Sequence, residues 1–162
     1  MVAEYTRPMK TDPAPSPGPA PLRRLTILIV DDEPAMRDLL QISLQHEGHR
    51  ILVAASGEEG RALALQAQPD IIVCDVNMPG LTGHEVLHSL HDDAETRHIP
   101  FIFLSGCREA QSIRLGMAAG AAEYLIKPFR PEELTEAIAA CAKKLAWLDQ
   151  APGSARLANG TA

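Results

Sequence analysis

The sequence predicts an α/β protein built on a parallel sheet with helices on both faces. Two observations carry this. Five apolar runs alternate with five helical patterns along the chain. Several of the runs are also almost continuously apolar, as strands buried on both faces are, where a half-exposed strand would alternate polar and apolar residues. Strict alternation of this kind means parallel strands joined by right-handed crossovers. The length of 162 residues suits one domain with a sizeable core, and 46% apolar with 22% charged residues is an ordinary globular balance.

The elements follow in order. Residues 1–22 hold six prolines between Pro8 and Pro21, which removes amide donors and predicts an extended, disordered arm. Leu25 to Val30 is the first strand. Asp31, Asp32 and Glu33 then precede Pro34, which fits the first turn of a helix, and the acids suit its N-terminus as caps. Met36, Leu39, Leu40 and Leu44 form that helix's buried face, with Gly48 closing it. Arg50 to Ala54 is a second strand. Ser56 and Glu59 have capping-box spacing, so a second helix runs from there to about Ala67, where Pro69 stops the chain.

Asp70 to Asp75 is the third strand, and it delivers Asp75 to its carboxyl end. Gly83 to about His91 is a third helix with Val86, Leu87 and Leu90 inward. A fourth strand, Pro100 to Ser105, ends in a hydroxyl, and an Ala-rich helix from about Glu109 to Ala119 ends at Gly120. Glu123 to Ile126 is a short fifth strand leading into Lys127-Pro128. Pro131 opens the last helix, whose stripe is Leu134, Ile138, Cys141 and Leu145. Residues 23–148 thus form the domain, and 149–162 read as a flexible tail.

Several functions are set aside at this level. A net charge of −6 advertises neither nucleic acid nor an anionic membrane as a direct partner. No apolar run approaches the roughly 20 residues needed to span a bilayer, and the N-terminus lacks a secretory core. Cys74, Cys107 and Cys141 match no zinc or disulfide pattern, so a cytoplasmic setting is expected.

Carboxyl ends of parallel strands share one edge, where ligands bind in such sheets. Here that edge collects Asp31, Asp32, Asp75, Ser105 and Lys127, while the second strand ends in plain Ala54-Ala55. Two carboxylates about 5 Å apart repel by roughly 3 kcal/mol at an effective dielectric near 20. Three need a cation, and hard oxygen donors without thiol or imidazole favour Mg²⁺ shared with a phosphate. A carboxylate beside it can act as a nucleophile toward phosphorus, with Lys127 and Ser105 contacting the phosphoryl oxygens.

The pair Asp31-Asp32 before Glu33-Pro34, the Asp75-x-Asn77-Met78-Pro79-Gly80 segment, Ser105, and the run Gly120 to Phe129 stand in an order and spacing that resemble a response-regulator receiver domain of two-component signalling, over about residues 25–148. The resemblance implies a flavodoxin-like (βα)5 fold with strand order 2-1-3-4-5. It implies Asp75 as phosphoacceptor from a sensor histidine kinase or a histidine phosphotransfer protein, and Mg²⁺ on Asp31, Asp32, Asp75 and the Asn77 backbone carbonyl. Ser105 and Tyr124 would be the switch residues, Lys127 would pair with the phosphate, and Lys127–Pro128 would be cis. Serine at 105 replaces the family's commoner threonine, and Cys107 lies where the family varies.

The expectation is therefore a phosphorylation switch acting through its α4–β5–α5 surface on a downstream protein, without an attached output domain. It is not an enzyme beyond its own phosphotransfer and autodephosphorylation. Two rivals exist. A haloacid-dehalogenase-type phosphatase needs an acid where this chain has Asn77, and a non-phosphorylated docking domain would be expected to lack one of Asp32, Asp75 or Lys127. His84, His88 and His91 share a helical face and read as solvated, Cys74 reads as core, and Trp147 as amphipathic packing on the last helix.

Overall fold

The computed structural model describes residues 23–106 and 110–150. Five strands and five helices alternate: β1 (Thr26–Val30), α1 (Pro34–His46), β2 (Arg50–Ala54), α2 (Gly57–Ala67), β3 (Ile71–Asp75), α3 (Gly83–Asp92), β4 (Phe101–Ser105), α4 (Ala110–Ala118), β5 (Glu123–Ile126) and α5 (Pro131–Gln150). All strand pairs are parallel, in the order β2-β1-β3-β4-β5. β3 and β4 are buried at every position, as continuous apolar runs require. The expected domain limit at Leu148 falls inside α5, which runs on to Gln150. Cys107 and the beginning of the expected fourth helix at Glu109 lie outside the described residues, as do the arm at 1–22 and residues 151–162.

The sheet separates two cores. One packs Ile27, Ile29, Ile71, Val73, Ile102 and Leu104 against Leu40 and Leu44 of α1 and Leu134, Ile138 and Cys141 of α5. The other packs Leu28, Val30, Ile72, Phe101, Phe103 and Tyr124 against Ala64 of α2 and Val86, Leu87 and Leu90 of α3, with Ile113 of α4 at its margin. Cys74 belongs to this second core, as expected.

Local sequence explains most boundaries. Ser56 accepts a hydrogen bond from Glu59 N, and Glu59 reaches back to Ala55 N. α2 ends at Gln68 in a left-handed conformation before Pro69. Gly48 follows the C-cap of α1 with φ +91°, a conformation glycine adopts without a Cβ clash. α3 has a complete capping box from Thr82 and Glu85.

Three expectations need correction. The acids before α1 do not cap it: Glu33 occupies the N-cap without a side-chain bond, and Asp31 is drawn into the strand-end site instead. Leu39 is 62% exposed, because α1 meets the sheet along the narrower Leu40–Leu44 line, with Met36 half-buried beside it. Trp147 is 71% exposed, because the apolar stripe of α5 outlasts the sheet it covers: Leu134, Ile138 and Cys141 are buried, and Leu145 only partly.

Candidate functional site at the carboxyl edge of the sheet

Parallel register brings the polar strand ends together. Asp31 follows β1 directly, and its backbone N–H donates to Ala54 O. Its buried carboxylate accepts from Glu33 N through Oδ1 at 2.9 Å and from Lys127 Nζ through Oδ2 at 3.3 Å. Arg37, one turn into α1, donates to the Asp31 carbonyl at 2.7 Å and so fixes the β1–α1 bend. Asp75 ends β3 and stands 3.4 Å from Lys127 Nζ. Asp32 is exposed, yet one carboxylate oxygen each from Asp31, Asp32 and Asp75 lie within 4.8 Å of one another.

Lys127 is held at both ends. Its backbone N–H donates to the Ser105 carbonyl at 2.7 Å, while its side chain spans Asp31 and Asp75. Ser105 ends β4, fully buried, and Lys127 follows the residue that pairs with it in register, Ile126. The Lys127–Pro128 peptide bond is cis.

One ammonium does not balance three carboxylates. Burial raises the Asp75 carboxyl above its ordinary range; the Lys127 ammonium pulls it down, and the Asp31 and Asp32 carboxylates push it up again. Burial alone would lower Lys127, but Asp75 and Asp31 outweigh it and hold the ammonium above its usual value. The ion pair thus satisfies the lysine and leaves the acids short of positive charge. Such a donor set, all carboxylate oxygen, fits a hard divalent cation. The Cys74 thiol beside it is raised well above its ordinary value by burial first, then by Asp75 and Asp31, and stays an unreactive thiol.

The β3–α3 loop is shaped by close approach. A Cβ on Gly83 would overlap the Asp75 carbonyl oxygen, so only glycine lets α3 begin against the phosphoacceptor candidate's own backbone. Glu58 of α2 accepts from Leu81 N at 3.1 Å and braces the same loop. Neither support was read from the sequence; the Thr82–Glu85 box was there to be read, while Gly83's contact appears only once the chain is folded. Asn77 is exposed on this loop, directly beyond Val76, whose N–H donates to Leu104 O.

The Tyr124 ring is buried in the second core, 5.7 Å from that of Phe103. The histidine face is not uniformly solvated. His88 is exposed, but His84 packs on Phe103 with ring centroids 4.7 Å apart and planes tilted by 41°, and His91 lies against Gly120. Among the described residues, the three aspartates form the one group of three or more metal-ligating side chains.

Comparison with known proteins agrees with this geometry. The family model described as "Response regulator receiver domain" matches residues 27–139. The chain is 40% identical to Protein PilH of Pseudomonas aeruginosa, over 69% of this chain and 93% of that protein. It is 36% identical to the DNA-binding dual master transcriptional regulator RpaA of Synechocystis, over 82% of this chain and 55% of that one. The chain spans about half the length of most such curated relatives. Among solved structures, chemotaxis protein CheY4 of Vibrio cholerae superposes with a TM-score of 0.69 at 32% identity, covering 73% of this chain and 98% of that one. A response regulator receiver domain protein from Clostridium thermocellum gives 0.72 at 30% identity, covering 76% and 98%. With its five parallel strands in the order 2-1-3-4-5 and its acids at their carboxyl ends, the chain belongs to the response-regulator receiver family.

Proposed function

We propose that the protein is the phosphoacceptor of a two-component phosphorelay, with Asp75 receiving the phosphoryl group from a histidine of a sensor kinase or histidine phosphotransfer protein. The observation that carries this reading is the placement of Asp75 at the end of β3, bridged by Lys127 and grouped with Asp31 and Asp32. A carboxylate oxygen of Asp75 attacks phosphorus, the P–N bond to the donor imidazole breaks, and its electron pair leaves with the imidazole. Asp31, Asp32, Asp75 and the Asn77 backbone carbonyl would hold Mg²⁺, which when bound would neutralise charge on the phosphoryl oxygens. Lys127 exchanges its contact with Asp75 for one with a phosphoryl oxygen, and Ser105 donates a hydrogen bond to another.

The phosphoryl group adds about −1.5 to −2 charges to this edge. Drawing Ser105 and Lys127 toward it pulls on β4 and β5 together, since the Lys127 N–H is bonded to the Ser105 carbonyl. Tyr124, three residues before Lys127, then resettles, and the α4–β5–α5 surface changes for a downstream protein. Such a shift requires that partner to bind the two states unequally. The chemistry stays in the protein's own phosphotransfer and dephosphorylation, and its product is a conformation. The net charge of −6 disfavours nucleic acid as the direct target. We place the protein in the cytoplasm with its phosphodonor, a setting consistent with the free thiols of Cys74 and Cys141. Among the described residues no helix is long and apolar enough to cross a membrane.

The test is intact-mass measurement after incubation with acetyl phosphate and Mg²⁺. One phosphoryl adduct is expected, absent when EDTA is present during the incubation and absent in Asp75→Asn. A protein that stays unmodified with Mg²⁺ present would overturn the reading and leave a docking domain.

A further inference from the structure

Of the three aspartates at the carboxyl edge, two are tied by their own side chains. Asp31 accepts from Glu33 N and from Lys127 Nζ, and Asp75 accepts from Lys127 Nζ. The exposed Asp32 carboxylate makes no hydrogen bond or ion pair among the described residues. Even so, one of its oxygens lies within 4.8 Å of oxygens from Asp31 and Asp75. Its place in the group is therefore set by the backbone that carries it.

That backbone is pinned on both sides. Beyond Asp32, Glu33 N donates to Asp31 Oδ1 at 2.9 Å and closes a turn around it. Before it, Arg37 Nη1 donates to the Asp31 carbonyl at 2.7 Å, and that carbonyl shares one peptide plane with the Asp32 nitrogen and Cα. Arg37 reaches back because α1 starts at Pro34: its own N–H bonds Glu33 O, and helical side chains lean toward the N-terminus. The guanidinium is half-buried and enters no ion pair among the described residues, so the carbonyl is its one partner there. Two opposite effects on a bound cation follow. As a positive charge beside the acids, Arg37 would repel a divalent cation, and removing it would tighten binding. As the anchor of the Asp31–Asp32 peptide, it would hold a ligand in place, and removing it would weaken binding. A short, charge-assisted hydrogen bond favours the second effect, because the charge itself is half in water and screened.

We propose that Arg37 is a positioning residue for the divalent-cation site, holding Asp32 in ligating position through the Asp31 carbonyl. The inference deepens the phosphoacceptor reading and rests on its Mg²⁺ site. It makes the first turn of α1 a support of that site, although no side chain of the helix reaches the cation.

The probe is Mn²⁺, its free concentration read by electron paramagnetic resonance on the full chain. Arg37→Met keeps an unbranched stem without the donor, and is expected to raise the Mn²⁺ dissociation constant about tenfold, the lower end for outer-shell partners. Arg37→Lys, which keeps a charged donor, is expected to recover most of that loss. In an Asp32→Asn background, Arg37→Met is expected to add less than about twofold, since residues acting through one contact do not add. With acetyl phosphate, the Mg²⁺ concentration for half-maximal modification of Asp75 is expected to rise by the same factor in Arg37→Met, with the rate at saturating Mg²⁺ unchanged. Equal or tighter Mn²⁺ binding in Arg37→Met would overturn the proposal. So would an undiminished loss in the Asp32→Asn background, which would mean a general loosening of the loop. A parent chain that binds no Mn²⁺ would overturn it as well. A parent chain that binds Mn²⁺ and accepts no phosphoryl group would remove the phosphoacceptor reading and leave the role of Arg37 to stand on its own binding data.

Discussion

The two faces of the sheet are covered by different materials. Toward α1 and α5 the buried apolar side chains are aliphatic apart from Cys141: isoleucine, leucine, valine and alanine interlock, and the buried His49 accepts the Leu25 N–H at its Nδ1. Toward α2, α3 and α4 the core contains all three buried aromatic rings. Phe101 and Phe103 meet edge to face at 5.0 Å, Phe103 meets Tyr124 at 5.7 Å, and His84 packs on Phe103. α4 rests on these rings through Gly116, where a Cβ would stand 3.1 Å from the Tyr124 ring. Tyr124 also buries a hydroxyl that has no hydrogen-bond partner among the described residues. Among the described residues each side carries one buried polar atom without a partner, the Tyr124 hydroxyl here and His49 Nε2 beside Leu25, and the aromatic side adds the half-buried His84 imidazole packed on its rings. Aliphatic packing holds the frame, and the aromatic side is where a small change at the strand ends can find a second arrangement.

Three substitutions sharpen or break that contrast. The largest effect is expected on the aliphatic side: Leu44→Ala should cost about 3 kcal/mol of unfolding free energy, within the range for truncating a fully buried leucine. A loss below about 1 kcal/mol in urea titration would mean that α1 relaxes into the space and the face is not rigid. Next comes Tyr124→Phe, which deletes the unpaired hydroxyl and keeps the ring. Removing a buried group that lacks a partner should stabilise by up to about 1 kcal/mol. A clear destabilisation would show that the hydroxyl is bonded and would remove it from the contrast between the faces.

The smallest effect concerns His84, whose imidazole is lowered from its ordinary range by burial. Above about pH 7.5 it is neutral in both folded and unfolded chains and adds no pH dependence. Below that, the unfolded chain binds the proton first, so stability falls with pH until the folded protein also protonates. His84→Gln should flatten the stability difference between about pH 7.5 and about pH 5.5, by less than about 0.5 kcal/mol given the partial exposure of the ring. A steeper dependence in the variant than in the parent would reverse the sign and remove His84 from the argument.

The fold was legible because its signals were strong and local. β2 and β5 were bounded to the residue by turns and charged neighbours, while β3 and β4 each begin one residue later than expected, at Ile71 and Phe101, and end as expected at Asp75 and Ser105. The acids, Ser105 and Lys127 could be placed on one edge as soon as the strands were parallel, since that placement needs only topology. Side-chain allegiance was harder. Leu39 and Leu40 are neighbours on a helix, and periodicity alone does not say which flank of the stripe the sheet will cover. Asp31 looked like a cap because it precedes a helix, but Lys127, 96 residues away, competes for the same carboxylate. Trp147 follows an apolar stripe that is regular well past the sheet's edge, so no local pattern marks where burial stops. His84 and Tyr124 meet Phe103 across strand register and a crossover helix, which a linear reading does not resolve.

The ion pair between Arg23 and Asp149 also says how this domain can be wired to anything else. The first and last described stretches meet at one pole, and Asp75 sits at the other, separated by the length of a five-residue strand, about 17 Å. That is roughly twice the Debye length at physiological salt, so an exposed charge on an appended segment is largely blind to the charge state of Asp75. Under the proposed function, a change at the acidic edge would reach that pole mechanically, through the sheet and the long α5. The two poles are therefore electrostatically insulated: a charge carried beyond Arg23 or Asp149 leaves the Asp75 carboxylate's surroundings unchanged, while the seating of α5 reaches both.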